Sequence, residues 1–405
     1  LEQGRWPLQG AAQFRVPQLD ATLHGVLSGA PLNLALTLKG ALRTALDEQT
    51  LGFDLDGALA LTEHGARIER LQVVSTDGAG RLSAEGEVTW QPALTIEATA
   101  EVRKLDPGIL LPDWKGQLNG QLEASTQIVN KVPKVRFVAT LGNSPLRGYP
   151  LRLKAQGTAI LQDDTQQLRL DTLNLVSGNT TLKAEGDLLP QMDARASLNA
   201  TDLNSLLPSL GGAIHLDASL QGAPDHPAIR AKGNARKLRY QDTQLADVQF
   251  DLDYLPGRDS HLKLLANGLV AGEMRMASAS IEADGLPDRH TIKADVRLAE
   301  PQSSASLSLA GAVDLTQPRW QGELLQSSFV PPYGPAWQQE AAGALTLSAT
   351  GQQLQPTCWH ADSARLCLDA TLASPSVRLA YRIEQLDTRA FAAVLPEGGA
   401  VQTAI

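Results

Sequence analysis

Aromatic side chains are scarce: the 405 residues include six Phe, six Trp and five Tyr. That argues against an ordinary sandwich core, which relies on ring bulk. Positive charge is also in deficit, with 35 Lys plus Arg against 44 Asp plus Glu and a net charge of −9. A protein that neutralises nucleic-acid phosphates needs the opposite sign, so nucleic acid is excluded as a partner. No stretch reaches the ~18–20 apolar residues of a membrane-spanning helix. The opening Leu1-Glu-Gln-Gly-Arg-Trp6 has neither an initiator Met nor the charge-then-apolar plan of a signal peptide. With the ending Ala400-Val-Gln-Thr-Ala-Ile405, this gives the expectation of a piece from within a longer protein, whose anchor and address lie outside it.

Only two cysteines occur, Cys358 and Cys367. So close a pair suits a local disulfide in an oxidising compartment, the alternative being two buried free thiols. Zinc is disfavoured, because His360 is the sole nearby histidine and no second pair completes a ligand set.

What the chain does have is aliphatic content, 43% apolar against 20% charged, which excludes disorder. Apolar and polar residues alternate from end to end, as in Leu32-Asn-Leu-Ala-Leu-Thr-Leu38, Val248-Gln-Phe-Asp-Leu-Asp-Tyr254 and Ile292-Lys-Ala-Asp-Val-Arg-Leu298. Period two puts an aliphatic and a polar face on each strand, the pattern of antiparallel sheet with one face in water. Punctuation at Asp56-Gly57, Asp77-Gly78, Gly142-Asn143, Gly178-Asn179 and Asp284-Gly285 predicts meandering hairpins, about two dozen strands in all. Helical patterning is nearly absent, so no helix is available to cover the sheet.

Short helical turns recur. Asp106 is a candidate N-cap with Pro107 at the first helical position, in Leu105-Asp-Pro-Gly-Ile-Leu-Leu-Pro112. Asp202-Leu-Asn-Ser-Leu-Leu-Pro208 and Leu386-Asp-Thr-Arg-Ala-Phe-Ala-Ala-Val-Leu-Pro396 repeat that plan. Pro112 and Pro208 are 96 residues apart, and Leu82-Ser-Ala-Glu-Gly-Glu-Val88 matches Leu182-Lys-Ala-Glu-Gly-Asp-Leu188 at an offset of 100. The expectation is an all-β, elongated, curled antiparallel trough, of the β-taco or solenoid kind, built from repeats of about 95–100 residues. The units would be 1–104, 105–202, 203–298, 299–385 and the start of another at 386–405, with a degenerate copy of the turn near Pro301.

Catalytic signatures are missing. The seven histidines His24, His64, His215, His226, His261, His290 and His360 form no ligand pair with carboxylates, and read as solvent-facing or turn residues. There is no nucleophile elbow, Walker loop or dinucleotide fingerprint. Asp163-Asp164 sits in a polar turn. No enzyme, metal or cofactor is expected.

Function therefore falls to the apolar face. Burying a Leu or Ile stabilises by roughly 1.5–3 kcal/mol, so a face of such residues across some two dozen strands has to be covered. Two solutions fit the alternation: a closed solenoid with a dry core, or a trough occupied by apolar ligand. Smooth aliphatic walls without polar hooks suit acyl chains. Candidate lining residues are Leu34, Leu36, Ile96, Val135, Phe137, Leu153, Leu170, Ile214, Leu216, Phe250, Leu252, Val296, Leu307, Leu347 and Leu379, each of which also reads as plain core packing.

Leu206-Leu-Pro-Ser-Leu-Gly-Gly-Ala-Ile214, Leu220-Gln-Gly-Ala-Pro224 leading to Leu238-Arg-Tyr-Gln-Asp-Thr-Gln-Leu-Ala-Asp-Val-Gln-Phe-Asp-Leu252, and the segment from Cys358 to Cys367 followed by Leu386-Asp-Thr-Arg-Ala-Phe391 resemble the TamB family of the AsmA-like superfamily. The resemblance implies a periplasmic β-trough, anchored in the inner membrane by a segment outside this sequence and meeting a TamA-like outer-membrane barrel partner through another. It implies carriage of phospholipid between the two membranes, or alternatively a scaffold for assembly of outer-membrane β-barrel proteins. The scaffold would work through unpaired strand edges rather than the apolar interior. A closed β-helical adhesin would need shorter, stricter coil repeats than a unit of about 96 residues provides.

Overall fold

The computed structural model describes residues 6–7, 13–26, 33–46 and 49–386, except 77, 79, 110–111, 130–131, 163–164, 206–208, 315–318 and 374–375. The described residues hold 26 strands and three single-turn 3-10 helices, and no helix long and apolar enough to cross a membrane. The fold is all-β. Within each unit neighbouring strands pair antiparallel, as the period-two pattern predicts, with a break at Trp337–Gln339, which pairs with Arg319–Val330 and Gly351–Ala361. The chain divides into two units, one comprising Leu1–Pro208 and Ser219–Asp225, the other Ser209–Ala218 and His226–Ile405.

Strands run longer than the clean alternation. Gln49–Thr62, Val132–Leu146 and Met274–Leu286 each carry through residues that read as turns. Gly178-Asn179 is a turn, but Asp56-Gly57, Gly142-Asn143 and Asp284-Gly285 lie inside strands. The reasons lie in the pairing. Gly57 stands on the apolar side between its register partners Leu38 and Leu71. Gly142 and Asn143 form a bulge opposite Arg152, with Asn143 at φ +50°. Gly285 adopts φ +122°, and a Cβ there would meet the Arg289 carbonyl.

Elsewhere glycine makes room for an aromatic ring. Phe137 pairs directly with Gly157 and Phe250 with Gly233, and a Cβ on either glycine would come within 3 Å of the opposing ring.

The helical turns are 3-10 turns, Pro107–Ile109, Pro112–Trp114 and Leu203–Ser205. Asp106 Oδ1 accepts from the backbone N–H groups of Gly108 (2.9 Å) and Gly116 (2.8 Å), and Asp202 Oδ1 accepts from that of Asn204 (3.1 Å). At Pro301 the chain instead makes a tight connection between strands Arg289–Glu300 and Ser303–Asp314. The Leu-Leu-Pro closure at 206–208, the turn over 387–396, the acidic pair at 163–164 and nearly all of the segment 386–405 lie outside the described residues.

Candidate functional site

Pairing register turns the alternation into rows. In the second unit, Ala231, Leu252, Leu262, Ala283, Ile292 and Leu309 stand opposite one another on six successive strands. Beside them run Gly233, Phe250, Leu264, Ile281, Ala294 and Leu307, then Ala235, Val248, Ala266, Ala279, Val296 and Ala305. None of the three rows of six contains a polar side chain. Only Ala235 and Leu309 are buried; the rest are half-exposed, and Ala305 and Leu307 are exposed.

The reverse face is a ladder of alternating charge. Arg230 pairs with Asp253 (3.2 Å), Lys232 with Asp251 (3.0 Å), His261 with Asp284 (2.6 Å) and Lys263 with Glu282 (2.6 Å), all in solvent. The Lys263 ammonium beside Glu282 holds that carboxyl below its usual range, and Arg365 does the same to Glu340 through a forked contact of 2.8–3.1 Å.

In the first unit, Phe137 stands in one row with Ala124, Gly157, Leu170 and Gly186, while Leu153 lies between Leu141 and Leu175. Ile96 faces Val88, Leu34 faces Leu61, Leu36 faces Leu59, and Val135 faces Ala159. Of the predicted lining residues Val135 alone is buried; Leu307, Leu347 and Leu379 are exposed, Leu379 to 57%, and the others are half-buried, Ile214 and Leu216 included.

One rim of the first unit's apolar side is covered by the 3-10 turn Leu203–Ser205. Ser177 and Thr180, on the same side as Leu175 and Leu182, are buried beneath it, with Thr180 Oγ1 2.9 Å from Ser205 Oγ and Ser177 Oγ donating to the Ser205 carbonyl. Arg147 joins this turn to the other one, donating to the Asn204 carbonyl (2.7 Å) while its guanidinium lies 5.8 Å from the Trp114 ring centre.

The sequence reading missed an aromatic core. Trp320, Trp337 and Trp359 are buried together with Leu309, Leu324, Ala361 and Ala364, and Phe329 packs against them. The apolar side is therefore not uniformly aliphatic, a correction to the smooth wall expected. His290 stands next to the turn at 287–288, as read, with its Nδ1 3.1 Å from the Leu286 and Pro287 carbonyls, and its Nε2 additionally accepts from the Trp320 indole N–H (2.8 Å). The available signal was the crowding of three of the six tryptophans into residues 320–359.

Cys358 and Cys367 are cross-strand partners on Gly351–Ala361 and Ala364–Ala373, with Cα atoms 4.0 Å apart and sulfurs at bonding distance. No cluster of metal-ligating side chains occurs among the described residues.

Two comparisons with known proteins bear on a largely aliphatic antiparallel sheet of this kind. The family model described as "TamB, N-terminal domain" matches residues 2–405. The chain belongs to the TamB family. It is 23% identical over 357 residues to the translocation and assembly module subunit TamB of Haemophilus influenzae, covering 86% of this chain. It spans about a quarter, 26%, of that relative's length.

The carboxyl groups of Glu282 and Glu340 titrate lower in the folded protein than in the unfolded chain. Their ion pairs therefore stabilise the fold above the ordinary glutamate range, and that contribution is lost as pH falls through the lowered folded values. Thermal unfolding of wild type and of Glu340→Gln, from about pH 6 to about pH 3 in low salt, should show a midpoint difference that is largest at the upper end and shrinks towards acid. A difference independent of pH would show that the pair contributes nothing electrostatic.

Proposed function

We propose that the apolar rows line a groove that shields phospholipid acyl chains in a periplasmic bridge between the inner and outer membranes. The observation that carries this reading is the three-row face of the second unit, uninterrupted across six strands and left half-exposed. Each aliphatic side chain there forgoes part of the ~1.5–3 kcal/mol that full burial supplies, and an acyl chain laid along the rows recovers it. Acyl chains ask for no hydrogen bond, and these rows offer none. Headgroups would remain in water, with no cationic pocket on the apolar side required to hold them.

Family membership supports placement in the envelope and, through parts of the protein outside this sequence, an inner-membrane anchor and a TamA-like outer-membrane barrel partner. The Asp-capped turns at Asp106 and Asp202, 96 residues apart, support a repeat of that length, with the turns forming one lip of the groove. Nothing in the rows calls for catalysis.

The direct test is a photo-crosslinking residue at Leu216 or Leu252, with Asp217 and Asp251 as controls on the charged face, in cells whose phospholipids are radiolabelled. Label is expected at the two leucines and not at the aspartates. Label at neither face, combined with crosslinks from strand edges to nascent barrel strands, would favour the assembly-scaffold reading instead.

In an oxidising periplasm Cys358 and Cys367 should be joined. Their bond closes a short loop, and reduction is expected to destabilise the fold by about 2–3 kcal/mol. Thiol titration of the denatured protein should find no free thiol before reduction and two after it; two free thiols in freshly purified, unreduced protein would rule the bond out.

A further inference from the structure

The rows of the second unit do not continue unchanged. On strand Arg319–Val330 the register brings Phe329 opposite Ala305 and Ser327 opposite Leu307, and Phe329 then faces Trp337 on the short strand Trp337–Gln339. Phe329 and Trp337 stack with ring centres 5.9 Å apart and planes at 10°, and Trp359 meets Phe329 edge-on at 6.5 Å. Exposure falls from 37% at Leu307 to 5% at Trp337 and 6% at Trp359. The half-open aliphatic floor gives way to a filled one.

Two polar side chains placed on this apolar side, His290 and Ser327, serve the rings. Trp359 donates its indole N–H to Ser327 Oγ and Trp320 donates to His290 Nε2, both at 2.8 Å. Ser327 Oγ in turn donates to Gln339 Oε1 (2.7 Å), and Gln339 Nε2 donates to the Leu324 carbonyl (2.7 Å). An indole N–H left against hydrocarbon would be costly, so these acceptors fix the orientation of the rings.

We propose that Phe329, Trp337 and Trp359, with Trp359 locked through Ser327, form an aromatic stop that ends an acyl-chain bay on strands 228–314. Lipid enters the bay and does not pass the rings while they are packed. The inference rests on the acyl-chain reading above. Five inter-strand steps of about 4.8 Å give the bay a span of ~24 Å. That exceeds the ~15 Å half-thickness of a bilayer's hydrocarbon core, enough for one acyl chain laid across the strands.

The test places a photo-crosslinking residue at Leu264, in the bay, or at Leu379, on strand Ser376–Glu384 beyond the stop, in the full-length protein in cells with radiolabelled phospholipids. Each is made in the wild-type background and with Phe329→Leu/Trp337→Leu, folding being checked by thermal unfolding. Capture at Leu264 is expected to exceed that at Leu379 roughly tenfold, the factor that about 1.4 kcal/mol of occupancy difference gives. The double substitution is expected to raise capture at Leu379 towards that at Leu264. Equal capture at both positions in the wild-type background would overturn the stop, as would a folded double variant with no gain at Leu379. If the double variant does not fold, the milder Ser327→Ala, which removes one lock, is held to the same criterion. No capture at Leu264 would instead overturn the acyl-chain reading itself.

Discussion

A strand that alternates aliphatic and polar side chains can satisfy its backbone through its neighbours, but it cannot cover its own apolar face. In Val248–Tyr254 and Ile292–Leu298 every second residue is committed to one side, and pairing in register adds those residues into rows rather than hiding them. With no α-helix among the described residues to lay on top, each part of the sheet has to resolve that imbalance locally. The polar side meets no such problem. Its cross-strand pairs, Lys232 with Asp251 and Lys263 with Glu282, hold neighbouring strands in register while fully hydrated.

Three local solutions coexist. Over strands 228–314 the face is left half-open, the state that suits a mobile hydrocarbon occupant. Around Trp320, Trp337 and Trp359 it is filled with rings, the Trp320 and Trp359 N–H groups being satisfied by His290 and Ser327. At one rim of the first unit the turn Leu203–Ser205 folds over Ser177 and Thr180, and Arg147 ties it to the turn that carries Trp114. Small residues set the floor height between them: Gly157 and Gly233 leave space that Phe137 and Phe250 occupy from the adjacent strands.

The all-β class and its antiparallel order were legible because the alternation is a local signal, two residues in period, and needs no knowledge of the pairing partner. The capping role of Asp106 and Asp202 was legible for the same reason. Gly57, Gly142 and Gly285 read as turns because glycine favours turns locally, whereas their place inside strands follows from pairing with Leu38 and Leu71, from the bulge opposite Arg152 and from the close Arg289 carbonyl. Those partners are set by register, which no local pattern reveals. The aromatic core escaped for a like reason: Phe329 and Trp359 are thirty residues apart, and only the broken strand at Trp337–Gln339 brings them together. Which face of the sheet each candidate lining residue occupies follows from parity.

The occupant proposed for the half-exposed apolar face is what most needs weighing. Native mass spectrometry of the full-length protein, released from the cell envelope into a mild detergent, reads it directly. The expected spectrum shows the polypeptide carrying one or more phospholipid masses, diminished when Leu252 and Leu264 are both replaced by Asp. A spectrum of bare polypeptide alone, from protein shown to be folded, would contradict the acyl-chain groove and leave the face to protein partners.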